Sequence, residues 1–71
     1  MEVLLTLKNV TLEEATSVLD CKLIGYDEVD YYDNLDGVQM IVYANEETGD
    51  GIVVVASDCY DDLYNVTLLK L

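Results

Sequence analysis

Hydrophobic and polar residues alternate at the start of the chain. In "EVLLTLK", residues 2–8, one side of an extended strand would carry Val3, Leu5 and Leu7. The opposite side would carry Glu2, Leu4, Thr6 and Lys8. Because the side chains of a strand point alternately to its two faces, this period of two predicts a first β-strand.

The spacing of the apolar residues changes after Thr11. The sequence "TLEE" matches a capping box, in which Thr11 is the N-cap and Glu14 occupies the third helical position. The pattern therefore predicts a helix from about Leu12 to Cys21. The apolar stripe predicted for this helix consists of Leu12, Ala15, Val18, Leu19 and, at its end, Cys21.

Extended segments and turns alternate through the rest of the chain. "KLIGYDEVDYY", residues 22–32, predicts a strand, and "DNLDG" predicts a turn with Gly37 at positive φ. "VQMIVYA" predicts the next strand, and "NEETGDG" predicts a hairpin turn into the strand "IVVVAS". "DCYDDLY" is predicted to be a loop or a single helical turn, and "NVTLLKL" a final strand. The residues predicted to share one face of "VQMIVYA" are Val38, Met40, Val42 and Ala44.

This order of elements predicts an α+β fold. The sequence β, α, β, β, β, β with short connections favours a four- to five-stranded antiparallel or mixed sheet with one main helix packed on one face. A chain of 71 residues has room for one domain, so residues 1–71 are expected to form a single compact acidic unit.

The charge of the chain is strongly negative and unevenly distributed. Fifteen Asp and Glu face three Lys, with no His, and the formal net charge is −12. Lys8, Lys22 and Lys70 all lie outside residues 27–62, a segment that contains eleven acids and no base. Because nucleic acids and anionic membranes repel such a surface, direct binding to either is not expected.

The apolar runs are shorter than the roughly 18 residues of a membrane span, and the first residues lack the pattern of a signal peptide. We therefore expect a cytoplasmic protein. Cys21 and Cys59 have no CxxC or histidine partner, and in a reducing compartment we expect both to be buried free thiols.

Catalytic and cofactor chemistry has little support in the sequence. Without His, a Ser or Cys nucleophile lacks its usual base, so we expect no enzyme activity. "TGDG" lacks the lysine of a phosphate-binding loop. An EF-hand centred on Gly37 or Gly51 would place residues without the required carboxylates at its first or last positions, so no metal or other cofactor is expected.

Two acidic segments that also contain tyrosines are the candidate binding site. Carboxylates two residues apart on a strand lie about 6.6 Å apart, comparable with two axial steps of about 3.4 Å along one DNA strand. Tyrosines supply the flat contact area typical of interface hot spots, although about half of them are expected to pack in the core. The residues predicted to converge on one partner-binding surface are Asp27, Glu28, Asp30, Tyr31, Tyr32, Asp33, Asp36, Asp58, Tyr60, Asp61, Asp62 and Tyr64.

In size, acidity and layout, the chain resembles small phage-encoded DNA mimics of the anti-CRISPR and anti-restriction type. Locally, "TLEEATSVL" and "VYANEETGDGIVVVASD" are similar to the helix and the acidic hairpin of the phage uracil-DNA glycosylase inhibitor family. That family's acidic residue in the first strand falls here near Thr6. The resemblance implies an apolar pocket near Val18, Leu19, Met40, Val42 and Val54, which in the family traps a protruding side chain of the target enzyme.

These observations favour a phage or mobile-element inhibitor that works in the cytoplasm of a bacterial host. Its expected partner is the nucleic-acid-binding surface of a defence enzyme, such as a Cas effector, which it would occupy by DNA mimicry. One alternative is an acidic protein–protein interaction module or assembly subunit, whose charge only confers solubility. The other alternative is a uracil-DNA glycosylase inhibitor.

Overall fold

The computed structural model describes residues 1–34 and 37–71. Of the predicted turn "DNLDG", Leu35 and Asp36 lie outside the described residues. Gly37 has a φ of 78°, the left-handed conformation that the turn prediction assigned to it.

The described residues form five strands and one helix. Strand β1 runs from Glu2 to Thr11, and the helix α1 follows from Leu12 to Lys22. The remaining strands are β2 (Asp27–Asn34), β3 (Val38–Ala44), β4 (Gly51–Asp58) and β5 (Leu63–Lys70). All neighbouring strands pair antiparallel, in the spatial order β1-β5-β4-β3-β2. The predicted α+β class, the order of elements and the single helix on one face are confirmed.

Two predicted boundaries differ from the structure. The segment 22–32 becomes a strand only from Asp27, because the residues before it close the helix. There the amide of Leu23 donates to the carbonyl of Leu19 at 2.9 Å, and Gly25 adopts a φ of 86°. The predicted loop "DCYDDLY" is shorter than expected, because its last two residues belong to β5 and pair with the end of β1.

A bulge in β1 overturns one predicted side-chain position. The pairing register shifts between Val3 and Leu5, so that Val3 lies opposite Leu69 while Leu5 lies opposite Leu68. Since one extra residue turns a side chain to the other face, Val3 leaves the face of Leu5 and Leu7 and is 59% exposed. The shared face predicted for Leu5 and Leu7 is confirmed, and the placement of Val3 beside them is wrong.

The core lies between the helix and one face of the sheet, which we call the helix face; the opposite face is the open face. Central strands β4 and β5 contribute most of the buried side chains. The fully buried cluster consists of Ala15, Ile52, Val54, Val66 and Leu68. The partly buried side chains packed against it are Leu5, Leu7, Val10, Leu19, Leu23, Tyr26, Tyr43, Ala56 and Tyr64.

The helix begins with the predicted cap. The amide of Glu14 donates to the Thr11 hydroxyl at 3.2 Å, and that hydroxyl lies 3.2 Å from the Glu14 carboxylate, to which it donates. This satisfies one of the free amides of the first turn. Across residues 1–34 and 37–71, no helix has the length and apolar character needed to cross a membrane.

The buried stripe of the helix differs from the predicted one. Ala15 is buried, and Leu19 and Leu23 follow it at intervals of four residues against the core. Leu12 is 63% exposed and Cys21 is exposed, so both were wrongly assigned to the stripe. Leu12 is the first helical residue and lies one turn before Ala15, at the end of the stripe.

We expect Leu19→Ala to lower the free energy of unfolding by about 2 kcal/mol, because it removes apolar atoms packed against the core. Leu12→Ala is the matched control, since it makes the same change on the same helix at an exposed position and should cost less than about 0.5 kcal/mol. Urea unfolding followed by circular dichroism measures both. Equal losses in the two variants would contradict the packing described here.

Candidate partner-binding surface

The strands of the acidic stretch of sequence are neighbours in the sheet and lie on one side of the molecule. Strands β2, β3 and β4 follow one another through hairpins and are also neighbours in the sheet. Residues 27–62 carry eleven acids and no base, and their described part therefore occupies the side that ends at β2. The three lysines lie on β1, α1 and β5, which form the other side.

The carboxylates of this side are in contact with water. Fourteen of the fifteen acids lie within the described residues, and every one of them is exposed. Among the described residues, no charged or polar side chain is buried. With three lysines for fifteen acids in the chain, most of these carboxylates have no side-chain base to pair with.

The edge strand β2 presents its acids on both faces of the sheet. Its pairing with β3 places Glu28, Tyr31 and Asp33 opposite Tyr43, Ile41 and Gln39, and Tyr43 packs against the core below the helix. These three residues of β2 therefore lie on the helix face. Asp27, Asp30 and Tyr32 pair with Ala44, Val42 and Met40 and lie on the open face.

A bulge fixes the position of Asp30. The register shifts between Glu28 and Asp30, which leaves Val29 without a partner on β3. One carboxylate oxygen of Asp30 accepts from the amide of Tyr31 at 3.0 Å, and the other accepts from the Tyr32 hydroxyl at 2.6 Å. This hydrogen bond, and then the negative charge of Asp30, raises the pKa of Tyr32 above its ordinary value. Asp30 is thus held in one orientation at the surface.

The second acidic segment is a tight hairpin turn between β4 and β5. Asp61 and Asp62 have φ values of 56° and 60°, and the amide of Leu63 donates to the carbonyl of Tyr60 at 3.1 Å. Two successive residues at positive φ are typical of a type I′ turn, which Asp tolerates better than most residues. The turn exposes both carboxylates at its tip.

The two segments meet at only one end of the sheet. The amide of Asp58 donates to the carbonyl of Gly37 at 3.0 Å, and Asn34 pairs with Val38, so the end of β4 lies near the end of β2 that carries Asp33. Asp27 and Glu28 lie at the opposite end of β2, about 20 Å and about 17 Å from Asp33 at 3.3 Å per residue.

The prediction that all these acids converge on one patch is therefore wrong. They form an acidic margin along β2 that approaches the acidic hairpin turn only at the end where Asp33 lies. Asp36 belongs to the same predicted patch, but it lies outside the described residues.

The tyrosines divide between surface and core. Tyr31, Tyr32 and Tyr60 are exposed, as expected for contact residues. Tyr26 and Tyr64 pack against the buried cluster, so Tyr64 is a core residue although it was predicted at the binding surface. The expectation that about half of the tyrosines are structural agrees with this division.

The sequence analysis did not predict a cleft that lies beside the helix. It has a volume of about 360 Å³ and lies between the last turns of α1 and strand β3. Burial, followed by the charges of Glu28 and Asp20, raises the pKa of Tyr43 at its wall. The predicted stripe of the helix included Leu19 of this lining, but the pairing that brings Tyr43 to the helix face is visible only in the structure. The cleft is lined by Thr16, Leu19, Asp20, Leu23, Tyr26 and Tyr43.

The pocket implied by the resemblance does not assemble from the residues assigned to it. Leu19 lines the cleft, and Val54 lies in the core on the helix face. Met40 and Val42 are on the open face, because they pair with Val55 and Val53. Val18 is half-buried on the helix, beside a shallow depression that it shares with Thr11 and the first turn.

The cysteines are free, and their burial differs from the expectation. Cys21 is exposed and Cys59 is half-buried, so neither is a core residue. The Cys59 thiol lies 3.3 Å from the side-chain oxygen of Asn9, to which it donates. In the part of the chain that the structure describes, no three His, Cys, Asp or Glu side chains are grouped as metal ligands would be.

Comparison with known proteins identifies no relative, so the functional conclusion depends on the fold and the surface. No family model, no curated protein and no solved structure matches the chain.

We expect Asp30→Ala to lower the pKa of Tyr32 toward its ordinary value, because the hydrogen bond and the nearby charge disappear together. Asp33→Ala, on the same strand but the other face, is the control and should leave the pKa of Tyr32 unchanged. Titration of the tyrosine ring resonances by NMR gives both values. An unaltered Tyr32 titration in Asp30→Ala would show that the contact does not form in solution.

Proposed function

We propose that this protein is an inhibitor, encoded by a phage or mobile element, that occupies the nucleic-acid-binding surface of a host defence enzyme by DNA mimicry. The observation that carries the proposal is the separation of charge across the sheet. Strands β2 to β4 and their turns carry acids without a base, and all three lysines lie on the other elements. A basic groove would meet an anionic side with no opposing positive charge.

The dimensions of the β2 margin suit this role. Four carboxylates lie along a strand segment about 20 Å long, with Glu28 and Asp33 on the helix face and Asp27 and Asp30 on the open face. Asp27 and Asp30 are about 10 Å apart at 3.3 Å per residue, close to three axial steps of about 3.4 Å along one DNA strand. Lys and Arg side chains that bind phosphates at that separation would pair with these two carboxylates.

Two features suggest that β2 contacts a partner. Asp30 is held by two hydrogen bonds, so less side-chain entropy is lost when a base pairs with it. The exposed rings of Tyr31 and Tyr32 flank it on the two faces of the strand and supply contact area. A surface that only kept the protein in solution would need neither feature.

The charge also has an energetic cost. Repulsion among exposed carboxylates destabilises a compact state, and a domain of this size has little stability to spare. An acidic interaction module without mimicry would have the same energetic cost, so this cost does not distinguish it from a DNA mimic. The two differ in whether the partner also binds nucleic acid at the same surface. A mimic competes with nucleic acid for its partner, and an assembly subunit does not.

The cleft supports a second candidate, a uracil-DNA glycosylase inhibitor. Leu19, Leu23 and the tyrosine rings give it partly apolar walls, and its volume is sufficient for a protruding leucine or similar side chain. This candidate combines the cleft with the family resemblance of the helix and the acidic hairpin. It predicts inhibition of one enzyme that is not part of a CRISPR or restriction system.

Binding to purified enzymes tests the proposal. The panel contains a guide-loaded Cas effector, a restriction enzyme and a uracil-DNA glycosylase, each with and without its nucleic-acid substrate. We expect one of them to bind the chain competitively with its substrate, with an association rate that falls as salt rises from 0.05 to 0.5 M. Binding that is indifferent to the substrate would favour the assembly-subunit alternative.

Two triple variants of equal charge locate the contact. Asp27, Asp30 and Asp33 are changed to Asn in the first, and Glu2, Glu13 and Glu14 are changed to Gln in the control, so that both retain a formal charge of −9. The β2 variant should reduce the association rate by about tenfold, and the control by less than about threefold. Equal reductions would mean that total charge, and not the β2 margin, determines binding.

A further inference from the structure

The open face of the sheet has no charged side chain on its three central strands. The two charged residues of β3, β4 and β5 are Asp58 and Lys70, and they pair with Tyr64 and Ile52. Because Tyr64 and Ile52 pack in the core below the helix, both charges belong to the helix face. Among the paired strand residues that the structure describes, the carboxylates on the open face are Asp27 and Asp30, at its β2 edge.

Apolar side chains fill the middle of the open face. Val53 is buried by its neighbours alone, with no helix above it. Around it, Val42, Val55 and Leu69 are half-buried, and Met40 is 40% exposed. A continuous apolar surface of this kind, bordered by polar residues, is typical of a protein interface.

We propose that two copies of this chain associate through their open faces. A chain with a formal charge of −12 repels its own copy in most orientations. Contact through the open face brings valine, leucine and methionine side chains together and leaves the helix, the hairpin turns and their carboxylates on the outside. The product is a four-layer arrangement with one helix on each outer side of two packed sheets.

Charge also selects the symmetry axis of this dimer. A two-fold axis perpendicular to the strands would place β2 over β2 of the second copy, with Asp27 and Asp30 facing the same residues. An axis parallel to the strands places β2 over β1, whose residues paired on the open face, Val3 and Thr6, carry no charge. The second arrangement is favoured because it keeps Asp27 and Asp30 of the two copies apart. The two-fold axis makes each contact between the copies occur twice.

The available area makes the dimer weak. Five strands about 4.8 Å apart and about seven residues long give a planar face of roughly 450 Å², or roughly 900 Å² for two copies. This is close to the lower limit of about 1,000 Å² for specific interfaces, so association should be concentration-dependent in solution. Raising the salt should strengthen it, since repulsion is screened over about 3 Å at 1 M instead of about 10 Å at 0.1 M.

Sedimentation equilibrium of the full chain at 0.1 and 1 M NaCl tests the proposal. We expect the association constant to rise at least about fivefold with salt. Met40→Glu, which adds a charge to the open face, should weaken association by about tenfold or more. Gln39→Glu adds the same charge at the neighbouring, exposed position on the helix face and should change association less than about threefold.

Methyl NMR spectra of the unmodified chain provide a second measurement that does not depend on a variant folding. The methyl resonances of Val42, Val55 and Leu69 should shift with protein concentration at 1 M NaCl, and those of Ile52 and Val54 in the core should not. A monomer at millimolar concentration in 1 M NaCl, or shifts confined to other residues, would overturn the proposal. Because partner binding by the acidic side should weaken with salt, failure of either proposal is visible separately from the other.

Discussion

An eleven-residue helix is too small to cover a five-stranded sheet, and this mismatch determines the rest of the structure. The helix is about 16 Å long and about 10 Å wide, whereas the five strands span about 19 Å from β1 to β2. It packs over β1 and β5, and the buried cluster therefore lies near the centre of the sheet and not below β2. The cleft beside Tyr43 lies where the helix ends its contact with the sheet. The open face is the side of the sheet on which no helix packs.

The distribution of charge follows from the same arrangement. Strand β2 lies at the edge farthest from the helix, where side chains on both faces contact water and carboxylates need no buried partner. Charged side chains and a bulge on an edge strand also prevent uncontrolled pairing with other chains. The acids of β2 are thus compatible with the fold at this position. The same acids on β4 would not be, because the consecutive residues Ile52, Val53 and Val54 of that strand are all buried.

The architecture was predictable from the sequence, and the side on which individual residues lie was less so. The cap at Thr11 and the hairpin from Val38 to Ser57 depend on local chemistry, and both are present. Val3 was misplaced because a bulge reverses the alternation of side chains, and it leaves no reliable mark in the sequence. The acids of β2 do not form one patch because they alternate between the two faces along a strand segment about 20 Å long. Leu12 was misplaced because the pattern marks apolar positions but does not show how far the helix extends over the sheet.

The acidic margin along β2 and the open face are the two surfaces that the helix does not cover, and association through them should respond to salt in opposite ways. Association through the acidic margin depends on attraction to a base, so added salt weakens it. Association through the open face is opposed by repulsion between copies, so added salt strengthens it. Because Asp30 lies on the open-face side of β2, a dimer would bring this carboxylate close to the second copy's β1 while leaving Glu28 and Asp33 free. A basic partner that engages Asp30 therefore competes with self-association, and low ionic strength favours the partner.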